Sequence, residues 1–307
     1  MADISASMVK ELRDKSGAAM MDCKKALVEA NGNFDKAIEW LRQKGMAVAT
    51  KKASRTATEG LVVARVADDL KSGVIVEVNC ETDFVARNEE FVALCQEIAA
   101  TAFETKSLDA EVLMKQKHGA GTVADFVTEK VAKTGENMVV RRLVYVNIEG
   151  PGAVGSYIHA LGGKMGAILA IKSSKDVARE EMSALCRELS MHIVSAKPQY
   201  ISRTEVPVEV VENERRIEAG KEDLAKKPAE IRDKIVSGRV DKLMAERCFL
   251  DQPFVKDPNQ TIAQYLKQKG TTLGAELTPV KFALFILGEM TAEPTAEAPP
   301  SNGCCQH

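Results

Sequence analysis

Glu89-Glu90-Phe91-Val92-Ala93-Leu94-Cys95-Gln96-Glu97-Ile98 aligns without a gap to Glu180-Glu181-Met182-Ser183-Ala184-Leu185-Cys186-Arg187-Glu188-Leu189, and this internal match decides the fold. An acidic pair opens each copy, where carboxylates favour the positive end of a helix dipole. Asn88 precedes the first copy as a plausible helix start, and Phe91, Leu94, Cys95, Ile98 and Ala102 repeat at helical spacing to form a buried stripe. Each copy also follows strand-like sequence, Val74 to Val78 in the first and Ala167 to Ile171 in the second. The reading is an α+β protein with two related halves, each placing helices on one face of a small antiparallel sheet. The first half is assigned 55–141, the second 142–196 together with 247–290.

Ahead of the first helix the period is two. Leu61-Val62-Val63-Ala64-Arg65-Val66, a turn around Lys71-Ser72-Gly73, and Val74-Ile75-Val76-Glu77-Val78 read as a β-hairpin. In the second half, a helix over Thr261 to Lys269 and an apolar strand over Val280 to Leu287 are expected to complete the sheet.

Residues 1–54 read differently, as three short helices in one bundle. Ile4, Met8 and Leu12 share a face before Ser16-Gly17 interrupts the pattern. Met20, Met21, Ala26, Leu27 and Ala30 follow, stopped by Asn31-Gly32. Asn33 is placed to cap a third helix carrying Phe34, Ala37, Ile38 and Leu41, with Gly45 placed to end it. Ala47 to Gly60 lacks large apolar residues and reads as a linker, with Lys51, Lys52 and Arg55 as solvated charges on a tether.

From 197 to 246 the chain turns strongly charged and helical, broken at Lys226-Lys227-Pro228. This predicts an inserted antiparallel helical hairpin, with Val208, Val211, Arg215 and Ile217 on one arm and Ile231, Ile235, Val240, Leu243 and Met244 on the other. Its thin apolar faces suit contact between molecules, either in a homodimer or with an auxiliary partner. Residues 291–307 are rich in Pro, Ala, Glu and Ser and are expected to be disordered.

Composition limits what the 307-residue chain does. With 45% hydrophobic and 28% charged residues it can bury cores and keep a solvated surface. Its 42 basic and 44 acidic residues nearly cancel, so no basic surplus draws it to nucleic acid or anionic lipid. Met1 to Val9 carries no signal-like basic and apolar pattern, and the expectation is a cytoplasmic protein without a membrane segment. The odd count of seven cysteines, scattered without paired spacing, fits a reducing compartment. Cys304, Cys305 and His307 make a poor metal site and read as tail residues.

No Gly-rich phosphate loop, nucleophile elbow or metal-spaced histidine pair is present, so a binding protein is expected, with no catalytic residues, metal or cofactor. One connection stands out, Glu77-Val78-Asn79-Cys80-Glu81-Thr82-Asp83-Phe84-Val85-Ala86-Arg87, because it carries a bulky aromatic between strand and helix. The corresponding Ser173-Ser174-Lys175-Asp176-Val177 has no aromatic. The residues alone leave Phe84 open as a core side chain or as an exposed anchor.

That connection resembles the signature of the elongation factor Ts family. Leu12-Arg13-Asp14-Lys15-Ser16-Gly17-Ala18-Ala19-Met20-Met21-Asp22-Cys23-Lys24-Lys25-Ala26-Leu27 is similar to the family's first signature, with Ser16 where threonine is usual and Ala19 where glycine or serine is usual. Lys133-Thr134-Gly135-Glu136-Asn137, Gly155-Ser156-Tyr157-Ile158-His159 and Ala196-Lys197-Pro198 extend the likeness to about residue 288. The tail does not resemble the helical carboxyl-terminal module of some members. The resemblance implies a guanine-nucleotide exchange factor for translation elongation, not an enzyme of covalent chemistry, which binds elongation factor Tu in its GDP-bound and nucleotide-free states. It implies that Thr82, Asp83, Phe84 and Val85 dislodge the partner's Mg²⁺, and that Met20, Met21, Lys24, Thr134, Gly135 and His159 make further contacts. It also implies that the charged hairpin corresponds to a coiled-coil insertion. The first bundle is in turn similar to ubiquitin-associated (UBA-like) domains, so an interaction adaptor is the alternative reading, and a thiol enzyme using Cys23, Cys80 or Cys95 a third.

Overall fold

The computed structural model describes residues 4–160, 162–224 and 227–289. The expected disorder of 291–307 and the cysteines there lie outside the described residues.

Three helices open the chain, α1 (Ala6–Ser16), α2 (Met20–Glu29) and α3 (Phe34–Lys52). Ser5 and Asn33 cap α1 and α3 by accepting the amides of Met8 and Lys36, and Gly17 ends α1 in the left-handed conformation. Leu12, Cys23, Ala26, Leu27 and Ala37 are buried together where the three meet. Gly45 does not stop α3, contrary to the sequence reading. A Cβ there would lie 3.4 Å from the Ala132 Cβ, so Gly45 marks a close approach of two helices, not a cap. The linker shortens accordingly, because Ala47 to Lys52 are helical. Two of its three charges are not free, since Lys52 donates to the Gly135 carbonyl at 2.5 Å and Arg55 pairs with Glu81 at 3.4 Å, while Lys51 is exposed as expected.

The first half runs β1 (Glu59–Val66), β2 (Ser72–Cys80), α4 (Asp83–Ala86), α5 (Glu89–Glu104), α6 (Ala110–Met114), β3 (Lys117–His118), β4 (Gly121–Thr122), α7 (Val123–Thr134) and β5 (Met138–Asn147). The second runs β6 (Gly152–Ile158), β7 (Met165–Ser173), α8 (Arg179–Ala196), the hairpin α9 (Val208–Ala219) and α10 (Ala229–Arg247), then β8 (Pro253–Phe254), β9 (Asp257–Thr261), α11 (Ile262–Leu273) and β10 (Leu277–Ile286). Both principal sheets are antiparallel, in the orders β1-β2-β5 and β10-β7-β6.

The internal repeat extends well beyond the matched helices. A constant offset of 139 residues relates the capping boxes begun by Thr122 and Thr261, the left-handed Gly135 and Gly274, and the strand starts Met138 and Leu277. The same offset relates the bulged residues, Arg141 in β5 and Val280 in β10. Between α5 and α8 the offset is 91, from Phe91 to Met182, and the difference is taken up by the hairpin inserted after α8.

Helices cover one face of each sheet, as the period predicts. Val74, Val76, Val78 and Cys80 pack beneath Phe91, Leu94 and Ile98, while Ala167, Leu169 and Ile171 pack beneath Met182, Leu185 and Leu189. The opposite faces meet each other, with Val62, Ile75 and Val146 against Val154, Ile168, Ala170 and Phe285. Both faces of β2 and β7 are therefore buried, which explains why these central strands read as nearly unbroken apolar runs.

Helices α9 and α10 run antiparallel, as the ion pairs Arg247–Glu214 (2.7 Å) and Arg239–Glu218 (3.5 Å) require. Val236, Val240 and Met244 of α10 are buried with Val206 and Leu224, whereas α9 buries no residue fully. At the neck, the Gln252 side-chain amide donates to the Ala196 and Glu246 carbonyls, tying the end of α8 to the end of α10.

Candidate functional site

The connection after β2 is built to present one side chain. Thr82 is the N-cap of α4, its hydroxyl accepting the Val85 amide at 3.3 Å. Both Thr82 donors are held by one carboxylate, the backbone amide to Glu136 Oε2 at 3.1 Å and the hydroxyl to Glu136 Oε1 at 2.7 Å. One residue earlier, Glu81 Oε1 accepts the Asn137 amide at 2.6 Å, and that bond chiefly holds the Glu81 carboxyl below its ordinary pKa, assisted by Arg55. Asn137 Nδ2 in turn donates to the Arg55 carbonyl at 2.8 Å. The segment Glu136-Asn137 thus clamps the connection on one side and the chain leaving α3 on the other.

Within that frame Val85 and Ala86 turn toward the core of the first half. Phe84 does not. It is 83% exposed, the largest such value among the exposed large hydrophobic side chains of the described residues. The core alternative left open by the spacing is therefore not the one adopted. Asp83 is half-buried and pairs with the exposed Arg87 at 2.9 Å along α4.

The remaining expected site residues occupy other elements. Met20 and Met21 are both exposed at the start of α2, whose core-facing side chains begin at Cys23. Lys24 is exposed one turn on, with Val28 beyond it on the same side. Thr134 is exposed at the end of α7, and Gly135 is the left-handed cap of that helix. His159 is half-buried at the end of β6, its Nδ1 3.2 Å from the Tyr157 hydroxyl. The structure brings the Thr82–Val85 segment and the Thr134-Gly135 turn together through Glu136, while Met20, Met21 and Lys24 on α2 and His159 on the second half stand apart from that network.

Glu136 and Asn137 stand in the Lys133–Asn137 motif, where local sequence assigns them no role. The signal was present in the repeat, because at an offset of 139 residues Glu136 faces Ala275. A carboxylate on one copy only, beside the only connection with an aromatic, marks a pair worth seeking. The cysteine reading finds no support in the geometry. Cys23, Cys80, Cys95, Cys186 and Cys248 are all buried, and burial pushes the Cys80 and Cys186 thiols up to about 12, so neither is a ready nucleophile. Among the described residues no group of three or more His, Cys, Asp or Glu side chains is arranged to hold a metal ion, and no helix is long and apolar enough to cross a membrane.

The family model for Elongation factor TS matches residues 81–289, from the Glu81 that opens this site to the end of the described chain. The chain belongs to the elongation factor Ts family. Its likeness to elongation factor Ts of Symbiobacterium thermophilum is 44% identity over 292 residues, covering 94% of this chain and 93% of that one. Elongation factor Ts of Nautilia profundicola is likewise 44% identical, with 94% of each chain covered. That of Hydrogenovibrio crunogenus is 46% identical over 265 residues, or 86% of each. Elongation factor Ts relatives thus align over most of the chain's length and of their own.

Proposed function

We propose that this protein acts as the nucleotide exchange factor of elongation factor Tu, and that Phe84 is the wedge by which it does so. The observation carrying this reading is Phe84 itself, an aromatic side chain held 83% exposed on a four-residue helix whose neighbours are all anchored. Nothing inside the molecule is gained by that placement, since an exposed aromatic forgoes about 1.5–3 kcal/mol of burial that a partner can supply.

A GTPase holds GDP through backbone amides, a lysine and Mg²⁺ positioned by a hydroxyl and phosphate oxygens. An exchange factor shifts that equilibrium only by binding the empty partner better than the filled one, and the coupling is reciprocal, about 1.4 kcal/mol for each tenfold. In this reading Phe84 inserts between two helices of the partner while Asp83 engages nearby polar groups, so that the segment positioning Mg²⁺ moves and the metal leaves. One phenylalanine cannot supply a large coupling alone. Residues 1–54, taken as a UBA-like docking module, add affinity through Met20, Met21 and Lys24 on α2, and Thr134, Gly135 and His159 contribute from the two core halves. We take residues 197–246 as a coiled-coil insertion whose exposed Val208, Ile217 and Ile231 serve association between two copies of the chain.

Release of fluorescent GDP from elongation factor Tu, with and without this protein, tests the proposal. Acceleration is expected. A protein that binds the partner yet leaves GDP release unchanged would be an adaptor, the reading that the exposed methionines of α2 alone would support.

A further inference from the structure

We propose that Glu136 is a positioning residue for nucleotide exchange: by holding the amide and hydroxyl of Thr82 together, it fixes α4 so that Phe84 is presented before the partner arrives. The inference rests on the reading of Phe84 given above and deepens it.

A helix of four residues has too few internal hydrogen bonds to offset the cost of its own nucleation, so α4 persists only if its ends are fixed from outside. At its far end, Val85 and Ala86 pack into the core of the first half. Its near end hangs on Thr82, which spends its hydroxyl's acceptor capacity on the Val85 amide and both donors on Glu136, at 3.1 and 2.7 Å. Hydrogen bonds to an ionised carboxylate are among the stronger ones. No Lys or Arg of the described residues forms an ion pair with Glu136, so its charge is directed at Thr82.

The second half provides the internal control. Strand register equates Cys80 with Ser173, paired respectively with Met138 and Leu277. Glu81 then corresponds to Ser174, and the same tie is made in both places: Glu81 Oε1 accepts the Asn137 amide at 2.6 Å, and Ser174 Oγ accepts the Glu276 amide at 2.9 Å. That tie belongs to the fold. Beyond it the halves diverge. From Cys80 to Phe91 the first half has two more residues than the second has from Ser173 to Met182, and the longer connection forms α4. Glu136 corresponds to Ala275, and the second half closes the same turn without a carboxylate. The Thr82–Glu136 pair therefore appears only in the half that carries the wedge, and it serves the wedge, not the turn. If α4 were loose, the wedge would be competent for only a fraction of the time, and apparent affinity would fall by that fraction.

The test compares Glu136→Ala, Glu136→Gln, Phe84→Ala and the double variant Glu136→Ala/Phe84→Ala in GDP release from elongation factor Tu, with amide hydrogen exchange of the free proteins. Glu136→Ala is expected to lower kcat/KM for exchange about tenfold, the order set by losing a hydrogen bond to a charged group. The amides of Thr82 and Val85 should exchange faster in that variant, while those of Leu94 and Ile98 in the buried helix α5 stay protected. Glu136→Gln keeps an oxygen for the Thr82 hydroxyl and should recover part of the loss. In the Phe84→Ala background, Glu136→Ala should cost nothing further, because it acts through the missing ring. An equal fall in that background, or unchanged amide exchange at Thr82 and Val85, would overturn the proposal. Normal exchange in Phe84→Ala alone would identify the failure as that of the wedge reading, with the amide data still deciding whether Glu136 holds α4.

Discussion

At the scale of single residues, the site turns on side chains whose cost or gain is set by where they are buried. Phe84→Ala is expected to leave stability within about 1 kcal/mol of the parent, because a ring 83% exposed makes few internal contacts, whereas a buried Phe→Ala typically costs ~3–5 kcal/mol. Exchange should fall sharply, and less than additively with Asp83→Ala, since the two act on one surface. Lys175→Ala and Asp176→Ala, in the connection without α4, should spare exchange, as thermal unfolding and GDP release on the same samples will record. His192 supplies a pH dependence of a different origin. Its ring lies in the core of the second half, Nε2 against Gln252 Oε1 at 3.0 Å and Nδ1 accepting the Val255 amide, and burial holds its pKa below 6.5. Above that value the ring is neutral folded or unfolded and contributes no slope. As pH falls through 6.5 the unfolded chain takes up a proton that the folded chain refuses, so stability declines until the lower folded pKa is reached. Urea midpoints at about pH 7.5 and about pH 5.5, a window chosen above the range where carboxylates titrate, should differ in the parent and differ less in His192→Gln.

At the scale of elements, the periodicities were legible and the long-range partners were not. The stripe Phe91, Leu94, Cys95, Ile98 could be read because its neighbours are set by helix geometry within the segment itself. The hairpin of β1 and β2 could be read from two apolar runs and the turn between them, although its register could not. Gly45 was misread for the opposite reason: a glycine that ends a helix and one that admits a neighbouring helix look alike until Ala132, far along the chain, is known to lie against it. Thr82 and Glu136, 54 positions apart, both lie in recognisable motifs, yet no local pattern says that a carboxylate will reach back to a cap. The inserted hairpin was legible from its charge and from Lys226-Lys227-Pro228, and its geometry now gives it a separable character. Its neck is tied by Gln252 and by the Tyr200–Cys248 bridge, and α9 buries no residue fully. Replacing Thr204 to Arg247 by a short loop should therefore leave a folded protein whose mass by light scattering is that of one chain. Global unfolding of the shortened protein would assign the hairpin to the core.

At the scale of the whole molecule, a buried charge pair bridges the two halves beside their apolar contact. Glu77 of β2 and Arg142 of β5 lie opposite each other in the first sheet, on the face that meets the second, and join at 2.6 Å with Glu77 wholly buried. Arg142 also donates to the Ile286 carbonyl at 3.0 Å, and Glu77 accepts the Gly288 amide at 3.2 Å, so the last strand of the second half is bound to the pair. A carboxylate taken out of water is tolerated only while its partner stays. Arg142→Met should thus cost about 3–5 kcal/mol by leaving Glu77 buried and unpaired, while Glu77→Leu/Arg142→Met should regain much of that loss because no charge is then stranded. The two effects can be separated from function by following exchange in the double variant. With the sheets still packed through Ile75, Ile168 and Phe285 but the bonds to Ile286 and Gly288 gone, the double variant should fold cooperatively yet exchange more slowly, since the proposed mode of binding has Phe84 and His159, on different halves, meet one partner together. A double variant that recovers stability and exchanges at the parent rate would show that the remaining contacts, the apolar face together with the Val62–Gly163 and Val154–Leu70 backbone bonds, set the relation of the halves, and that Glu77 and Arg142 serve only to satisfy each other.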